Sequence, residues 1–311
     1  MRPHTTTRAL ALAALLVAVA GPLGSHGGPA GRGFNSARAF QDLRRQCAFG
    51  PRVPGSHAHA TCADWLAGQL RAAGARVERQ RFTRLVEGKR LPLINLIATW
   101  NPNQRGHVLL CTHWDSRPRA ERDPDPGKRG HPILGANDGA SGVAVLLEIA
   151  RALKSKPPAC RVTIVLFDGE DYGTTAEGMF LGSREFAARY RGPRVDWAAL
   201  LDMVGDRDLR LPKERGSLRR APRVVDRIWQ GAARAGSAAF VGEVGPAVLD
   251  DHLPLLARGI PCVDVIDFDY PFWHTTADTP DQCSPGSLGQ VGRALLQALA
   301  DYETELGPPA D

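Results

Sequence analysis

The chain has 311 residues, 43% of them hydrophobic and 23% charged, with 33 Gly and 24 Pro. That composition excludes a disordered, collagen-like or coiled-coil protein, and the length leaves room for one large α/β domain. The formal charge of +6 is spread along the chain, apart from an arginine-rich stretch at residues 207–223. No aromatic residues alternate with those arginines, so a solvated basic loop is expected there and nucleic acid is not an expected partner.

Arg2 and Arg8 precede an apolar run at residues 9–20 that closes on Ala18-Val19-Ala20. A charged head, a short apolar core and a small-x-small end form the pattern of a cleavable secretory signal peptide. The run falls short of the roughly 20 apolar residues that a membrane span needs, and no later segment approaches that length. Residues 1–20 are therefore expected to be a signal peptide, 21–33 a flexible linker and 34–306 one catalytic domain. The expected destination is the periplasm or the medium. Six cysteines suit an oxidising compartment; pairing of Cys47 with Cys62 and of Cys262 with Cys283 fits their positions, among the fifteen connectivities that six cysteines allow. Cys111 and Cys160, in or beside apolar runs, read as buried thiols.

Short β-branched or leucine runs then alternate with longer helical stretches. This predicts a single α/β domain, a mixed and mostly parallel twisted sheet flanked by helices. Residues 58–73 read as a helix with Cys62, Trp65, Leu66 and Leu70 on one face and Gly74 as its stop. Strands are expected at 77–82 and 93–100, and again at 108–112, where the apolar run ends against His113. Residues 142–154 carry a helical stripe of Val143, Leu146, Leu147, Ala150 and Leu153, with Asp138 just ahead. The strand at 162–167 runs into Asp168, Glu170 and Asp171, and the one at 197–201 ends at Asp202. A last strand at 262–266 leads into a loop with Trp273 and His274, and a helix at 288–306 follows.

Ligands of open α/β sheets bind beyond the carboxyl ends of the strands. His113, Asp115, Asp138, Glu170, Asp171, Asp202, Asp250, Asp251 and His274 all fall at or near such ends, so they are expected to converge. Two imidazoles and several carboxylates make an N/O donor set suited to zinc. In the Glu170-Asp171 pair, one acid can hold metal while its neighbour serves as general base. Asp115, two residues beyond His113, can accept that imidazole's second N–H and fix its tautomer.

Five blocks carry a resemblance. They are Thr112-His113-Trp114-Asp115-Ser116, Gly135-Ala136-Asn137-Asp138-Gly139-Ala140-Ser141-Gly142, Phe167-Asp168-Gly169-Glu170-Asp171, Leu201-Asp202-Met203-Val204-Gly205 and Trp273-His274-Thr275. In this order they resemble the zinc aminopeptidase clan, which includes the animal-type glutaminyl-peptide cyclotransferases. The likeness runs through residues 47–299. In the clan's peptidases, positions matching His113, Asp138, Asp171, Asp202 and His274 bind two zinc ions. In its cyclases, Asp138, Asp171 and His274 match the ligands of one zinc. The position of Glu170 is the acid/base in both. Asp171 is one methylene shorter than the Glu more usual at that ligand position.

Asp250-Asp251-His252-Leu253-Pro254 resembles a cyclase block whose second acid, here Asp251, helps hold the substrate's amide nitrogen, with Asp202 behind it. Trp273 matches the cyclase pocket wall. Thr174, Thr175 and Ala176 stand where the animal enzymes carry a further Trp, and Val143 where a partner of their disulfide would be. The resemblance thus implies a one-zinc cyclotransferase that acts on N-terminal glutamine of peptides and proteins; a monomer is expected, though nothing in the sequence fixes the oligomeric state. Glu170, Asp202 and Asp251 would be catalytic. The alternatives are a secreted two-zinc aminopeptidase and a secreted binding module that has lost catalysis. Intact Glu170 and the complete ligand set count against the last.

Overall fold

The computed structural model describes Met1 and residues 32–307, so the expected signal peptide and most of the expected linker lie outside the described residues. Arg32, inside the expected linker, pairs with Glu303 at 2.8 Å and donates to the carbonyls of Lys156 and Pro157. Two helices open the chain, α1 (Ser36–Ala48) and α2 (His57–Ala72), each capped by a side chain, Asn35 and Ser56. A hairpin follows: β1 (Arg76–Val86) and β2 (Lys89–Trp100) turn through Glu87 and Gly88, both at positive φ as a tight hairpin requires. Then come β3 (His107–His113), α3 (Ala140–Ser155), β4 (Arg161–Phe167), α4 (Leu181–Arg189) and β5 (Trp197–Asp202).

Residues 207–223 are not the solvated loop expected from the sequence. They form β6 (Leu211–Lys213), α5 (Arg215–Arg220) and the start of α6 (Pro222–Arg234). The carboxylate of Glu214 starts α5 by accepting the N–H groups of Gly216 and Ser217, and Arg210 pairs with Glu243. Such local capping carries little signal in a run of charge. The chain ends with β7 (Phe240–Val244), α7 (His252–Ala257), β8 (Cys262–Ile266) and α8 (Pro285–Leu306).

The main sheet has the order β1-β2-β4-β3-β5-β8. The β1–β2 and β2–β4 pairings are antiparallel, and β4, β3, β5 and β8 run parallel, as expected of a mixed sheet. Both faces of the parallel strands are covered, which is why they read as unbroken apolar runs rather than alternating ones. Leu110, Ile164, Ala199 and Val263 face a layer built on α1, α3, α6 and α8. Leu109, Val165, Ala198 and Cys262 face the opposite way, onto α4 and α7. Along the last helix, the predicted stripe of Val291, Leu295, Leu299 and Tyr302 is buried.

All six cysteines are free, buried thiols, which corrects the expected disulfides. Cys262 and Cys283 belong to core layers on opposite faces of the sheet, so the strands themselves keep them apart. Cys47 and Cys62 pack as apolar side chains in the helical layer, where burial pushes their thiols up to about 11 and about 12.

Because four strands run parallel, their carboxyl ends lie along one rim. Arg52 fastens the two loops that rise there. Its fully buried guanidinium donates to the carbonyls of Trp114 (3.0 Å), Leu134 (2.6 Å) and Gly135 (2.8 Å).

His107 starts β3 at the opposite end, its Nε2 2.9 Å from Thr163 Oγ1. Burial, helped by the Arg161 charge, lowers its imidazole to about 4. Between that value and the unfolded value of about 6.5 the unfolded chain binds more protons, so stability falls as pH drops through this window. His107→Gln is expected to remove about 3 kcal/mol of that acid-side loss, read from denaturation midpoints between about pH 6.5 and 4.

Candidate metal centre

His113 is the last residue of β3, and its Nε2 lies 3.1 Å from Asp138 Oδ1 and 3.3 Å from Asp202 Oδ1. Asp202 is the last residue of β5, and Asp138 lies just ahead of α3. The loop after β8 brings in His274, whose Nε2 lies 3.3 Å from Asp171 Oδ1 and 3.8 Å from Asp138 Oδ2. Residues spread over 162 positions of sequence, from His113 to His274, thus meet at one rim. One donor atom each from Asp138, Asp171 and His274 fall within 4.8 Å of one another, and the same holds for His113, Asp138 and Glu170. All of these side chains are buried.

The backbone is shaped to allow this convergence. Gly139 has φ +96°, and a Cβ there would stand 2.5 Å from the carbonyl oxygen of Asp115. Only glycine lets Asp138 come so close to the loop after β3. Met203 and His274 sit at φ +47° and +57°, a strained region for side chains of their size, and both line the cleft.

A second ring of buried groups orients the first. Asp115 accepts the backbone N–H groups of Glu170 (3.1 Å) and Asp171 (3.3 Å), so one carboxylate holds the acid pair in place. Its distance to His113 Nδ1 is 3.5 Å, beyond a good hydrogen bond, so the tautomer-fixing role expected of it is secondary. Asp278 accepts the N–H groups of Asn137 (2.8 Å) and Asp138 (3.2 Å) and the hydroxyl of Tyr270. Asn137 Oδ1 in turn accepts Gly205 N–H, which ties the loop before α3 to the loop after β5. Arg117 pairs with Asp171 (2.5 Å) and with Glu121, and Glu121 accepts His274 Nδ1–H at 2.8 Å. Nothing in the sequence pattern singled out Asp278, Arg117 or Glu121. The partners that tie them to the centre, Asp171, Asn137 and His274, lie 54 to 153 residues away in sequence.

Electrostatics follow from burial. Desolvation raises Glu170 well above its usual range; Asp171, Asp250 and Asp251 add to this, and His113 opposes it. Burial and the charge of Asp171 lift Asp138 to about 6. Burial would also raise Asp171, but His274 and Arg117 hold it below its usual value. Burial lowers His274, yet Asp171, Glu121 and Asp138 outweigh that and raise it to about 9. Such a carboxylate-rich pocket selects for positive charge. Asp138 Oδ2 and Asp171 Oδ2 are buried with no hydrogen-bond partner. Two orphaned carboxylate oxygens beside an imidazole nitrogen fit a divalent cation with N/O ligands.

Asp138, Glu170, Asp171, Asp202, Trp273 and His274 all line one narrow cleft, as expected from the sequence. Asp251 does not line it. Asp250 does, and Asp251 is wholly buried with Ser183 beside its carboxylate. The apolar part of the wall is Met179, Met203, Val248, Leu249, Ile266 and Phe268. Trp273 packs against Phe268 (4.9 Å between centroids) and carries the Arg122 guanidinium 4.0 Å over its ring.

The model of peptidase family M28 matches residues 95–299, which span β2 to α8 and include every residue of the candidate centre. The chain belongs to this family. A glutaminyl-peptide cyclotransferase-like protein of Bos taurus is 27% identical over 285 residues, covering 81% of this chain and 72% of its own. Among solved structures, the glutaminyl cyclase of Tannerella forsythia is 38% identical with a TM-score of 0.83, covering 86% of this chain and 98% of that one. A leucine aminopeptidase precursor from Bacteroides thetaiotaomicron is 36% identical with the same TM-score, covering 86% and 97%. The M28 relatives thus carry both cyclase and peptidase names. The family and the donor groups together support zinc as the cofactor.

Asp115→Ala would leave the N–H groups of Glu170 and Asp171 unpaired in a buried loop. We expect a loss of about 3–6 kcal/mol in stability, measured by urea denaturation, because hydrogen bonds to charged groups contribute about 1.5–3 kcal/mol each.

Proposed function

We propose that this chain is a zinc-dependent glutaminyl-peptide cyclotransferase, converting N-terminal glutamine of peptides into pyroglutamate with release of ammonia. One observation carries the single-ion reading. Asp138 and Asp171, whose carboxylates face His274 Nε2, each keep an oxygen without a hydrogen-bond partner, whereas His113 Nε2 already engages both Asp138 Oδ1 and Asp202 Oδ1. A zinc ion held by Asp138, Asp171 and His274 would supply a Lewis acid for the γ-carboxamide oxygen of the substrate.

The remaining work falls to side chains. The α-amine is tethered to the carboxamide it attacks, so the step needs orientation more than a strong nucleophile. Glu170 takes a proton from that amine as the ring C–N bond forms. It returns the proton to the carboxamide nitrogen as the old C–N bond breaks and ammonia leaves. The raised affinity of Glu170 for a proton suits a group that must both accept and donate one. Asp250, with Asp202 behind it, takes the amide-holding role that the sequence assigned to Asp251, since it is Asp250 that lines the cleft. Trp273, Phe268, Val248 and Ile266 supply the apolar part of the cleft wall, which favours the tethered amine over water as the nucleophile.

The second reading, a two-zinc aminopeptidase, draws on the proximity of His113, Asp138 and Asp202 and would use Glu170 to activate water. A Gln-initiated peptide separates the two. Ammonia and a cyclised peptide are expected by mass spectrometry; free glutamine would overturn the cyclase reading. Metal analysis should find one zinc per chain, and two tightly held ions would favour the peptidase. Glu170→Gln should lower kcat by roughly 100-fold or more while zinc stays bound. Loss of the zinc with it would mean that base and ligand are wrongly assigned. Export to the periplasm or the medium is part of the proposal, and N-terminal sequencing of the mature protein tests it. Among the described residues no helix is long and apolar enough to cross a membrane.

A further inference from the structure

We propose that Arg117 and Glu121 are positioning residues that aim two of the three zinc donors and so set how tightly the ion is held. The inference rests on the zinc reading above. Both residues lie on the segment between β3 and α3, and the Arg117 side chain is only 5% exposed. Its NH1 donates to Asp171 Oδ1 at 2.5 Å and to the Asp171 carbonyl at 3.2 Å, gripping that residue by side chain and backbone together. Its Nε and NH2 meet the two oxygens of Glu121 at 2.8 and 2.6 Å, a fork-to-fork pair. Glu121 Oε1 then accepts His274 Nδ1–H at 2.8 Å.

The effect on each donor is specific. A proton fixed on Nδ1 leaves Nε2 as the lone-pair nitrogen of His274, and Nε2 is the atom that faces Asp171 and Asp138. On Asp171 the grip takes Oδ1, while Oδ2 stays buried and unpaired. Each donor residue therefore has one atom tied back and one atom free. An aspartate has too short a side chain to find the ion by bending, so an external hold on its carboxylate matters more than it would for a glutamate.

Charge makes the pairing necessary. Arg117 alone beside Asp171 would repel a divalent cation, and Glu121 cancels it. The clamp is thereby neutral, which leaves the two charges of Asp138 and Asp171 to match the ion. The same segment also fixes the backbone of the ligand loop. Arg122 N–H donates to the His274 carbonyl at 3.2 Å, and the Asp123 carboxylate accepts Thr276 N–H at 2.9 Å and its hydroxyl at 2.5 Å. These bonds hold His274 at a φ of +57°.

The test is zinc affinity of the full chain, measured by chelator competition, with the melting temperature taken with and without zinc. Arg117→Met should weaken zinc binding about 10- to 100-fold, the usual cost of losing an outer-shell partner, and shrink the zinc-dependent rise in Tm. Arg117→Lys keeps one donor to Asp171 but loses the fork, so it should recover part of the affinity. Glu121, whose side chain is 38% exposed, supplies an independent variant should Arg117→Met fail to fold. Glu121→Ala should weaken zinc in the same direction. Folded variants that bind zinc as tightly as the parent overturn the proposal. A parent chain that holds no zinc overturns the zinc reading beneath it.

Discussion

Asp138, Glu170, Asp171, Asp202 and Asp250 crowd together at one rim of the sheet, all at or below 9% exposure, with His113 and His274 among them. Carboxylates so placed cannot all be ionised in a medium that screens poorly, and the rest of the molecule is arranged around that repulsion. Burial and this repulsion raise the proton affinity of Glu170 and Asp250. Some of the charge is relieved by Arg117 and the imidazoles. What is left over collects where Asp138 Oδ2 and Asp171 Oδ2 lack partners, and there a divalent cation is the natural neutraliser.

The topology makes such a set affordable. Four parallel strands deliver their last residues to one rim, but a rim alone does not fix atoms to within a few tenths of an ångström. That precision comes from buried acids that accept backbone N–H groups. Asp115 holds Glu170 and Asp171, and Asp278 holds Asn137 and Asp138. Arg52 works in the opposite sense, donating to three carbonyls of the neighbouring loops. Each bond crosses between segments distant in sequence, so the site is rigid only when the whole domain is folded.

That division explains what could be read in the sequence. The strands leading to His113, Glu170, Asp202 and His274 announce themselves as apolar runs that stop at polar residues, and the structure places all four ends together. The donor types could be read for the same reason. The outer ring could not, because Arg117, Glu121 and Asp278 resemble any solvated charge until the fold brings their partners near. Helices α1, α4 and α6 escaped the reading of the pattern, and residues 207–223 were masked by their charge. The Cys262–Cys283 pairing failed on a point of layering. Alternate residues of a strand face opposite ways, so a residue of β8 and one beyond the sheet's other face can be near in sequence and still separated by it.

That Asp250 rather than Asp251 lines the cleft has a similar cause and reaches further. The two are neighbours at the start of α7, where a single residue decides whether a side chain meets the cleft or the interior. Behind Asp250 the acidic character continues. Asp264, inside β8, lies 3.5 Å from His252 Nδ1, and Glu214 lies 3.6 Å from His252 Nε2, every group buried. Burial and the charges of Asp250, Asp202 and Glu214 raise Asp264 well above its usual range, and burial with Asp202 and Asp251 does the same for Asp250. Burial would raise Glu214 too, but the N–H groups of Ser217, Gly216 and Val248 hold it below its usual range. Burial and mutual repulsion thus raise the proton affinity of Glu170, Asp250 and Asp264 together, while the unpaired oxygens of Asp138 and Asp171 leave a place for a cation.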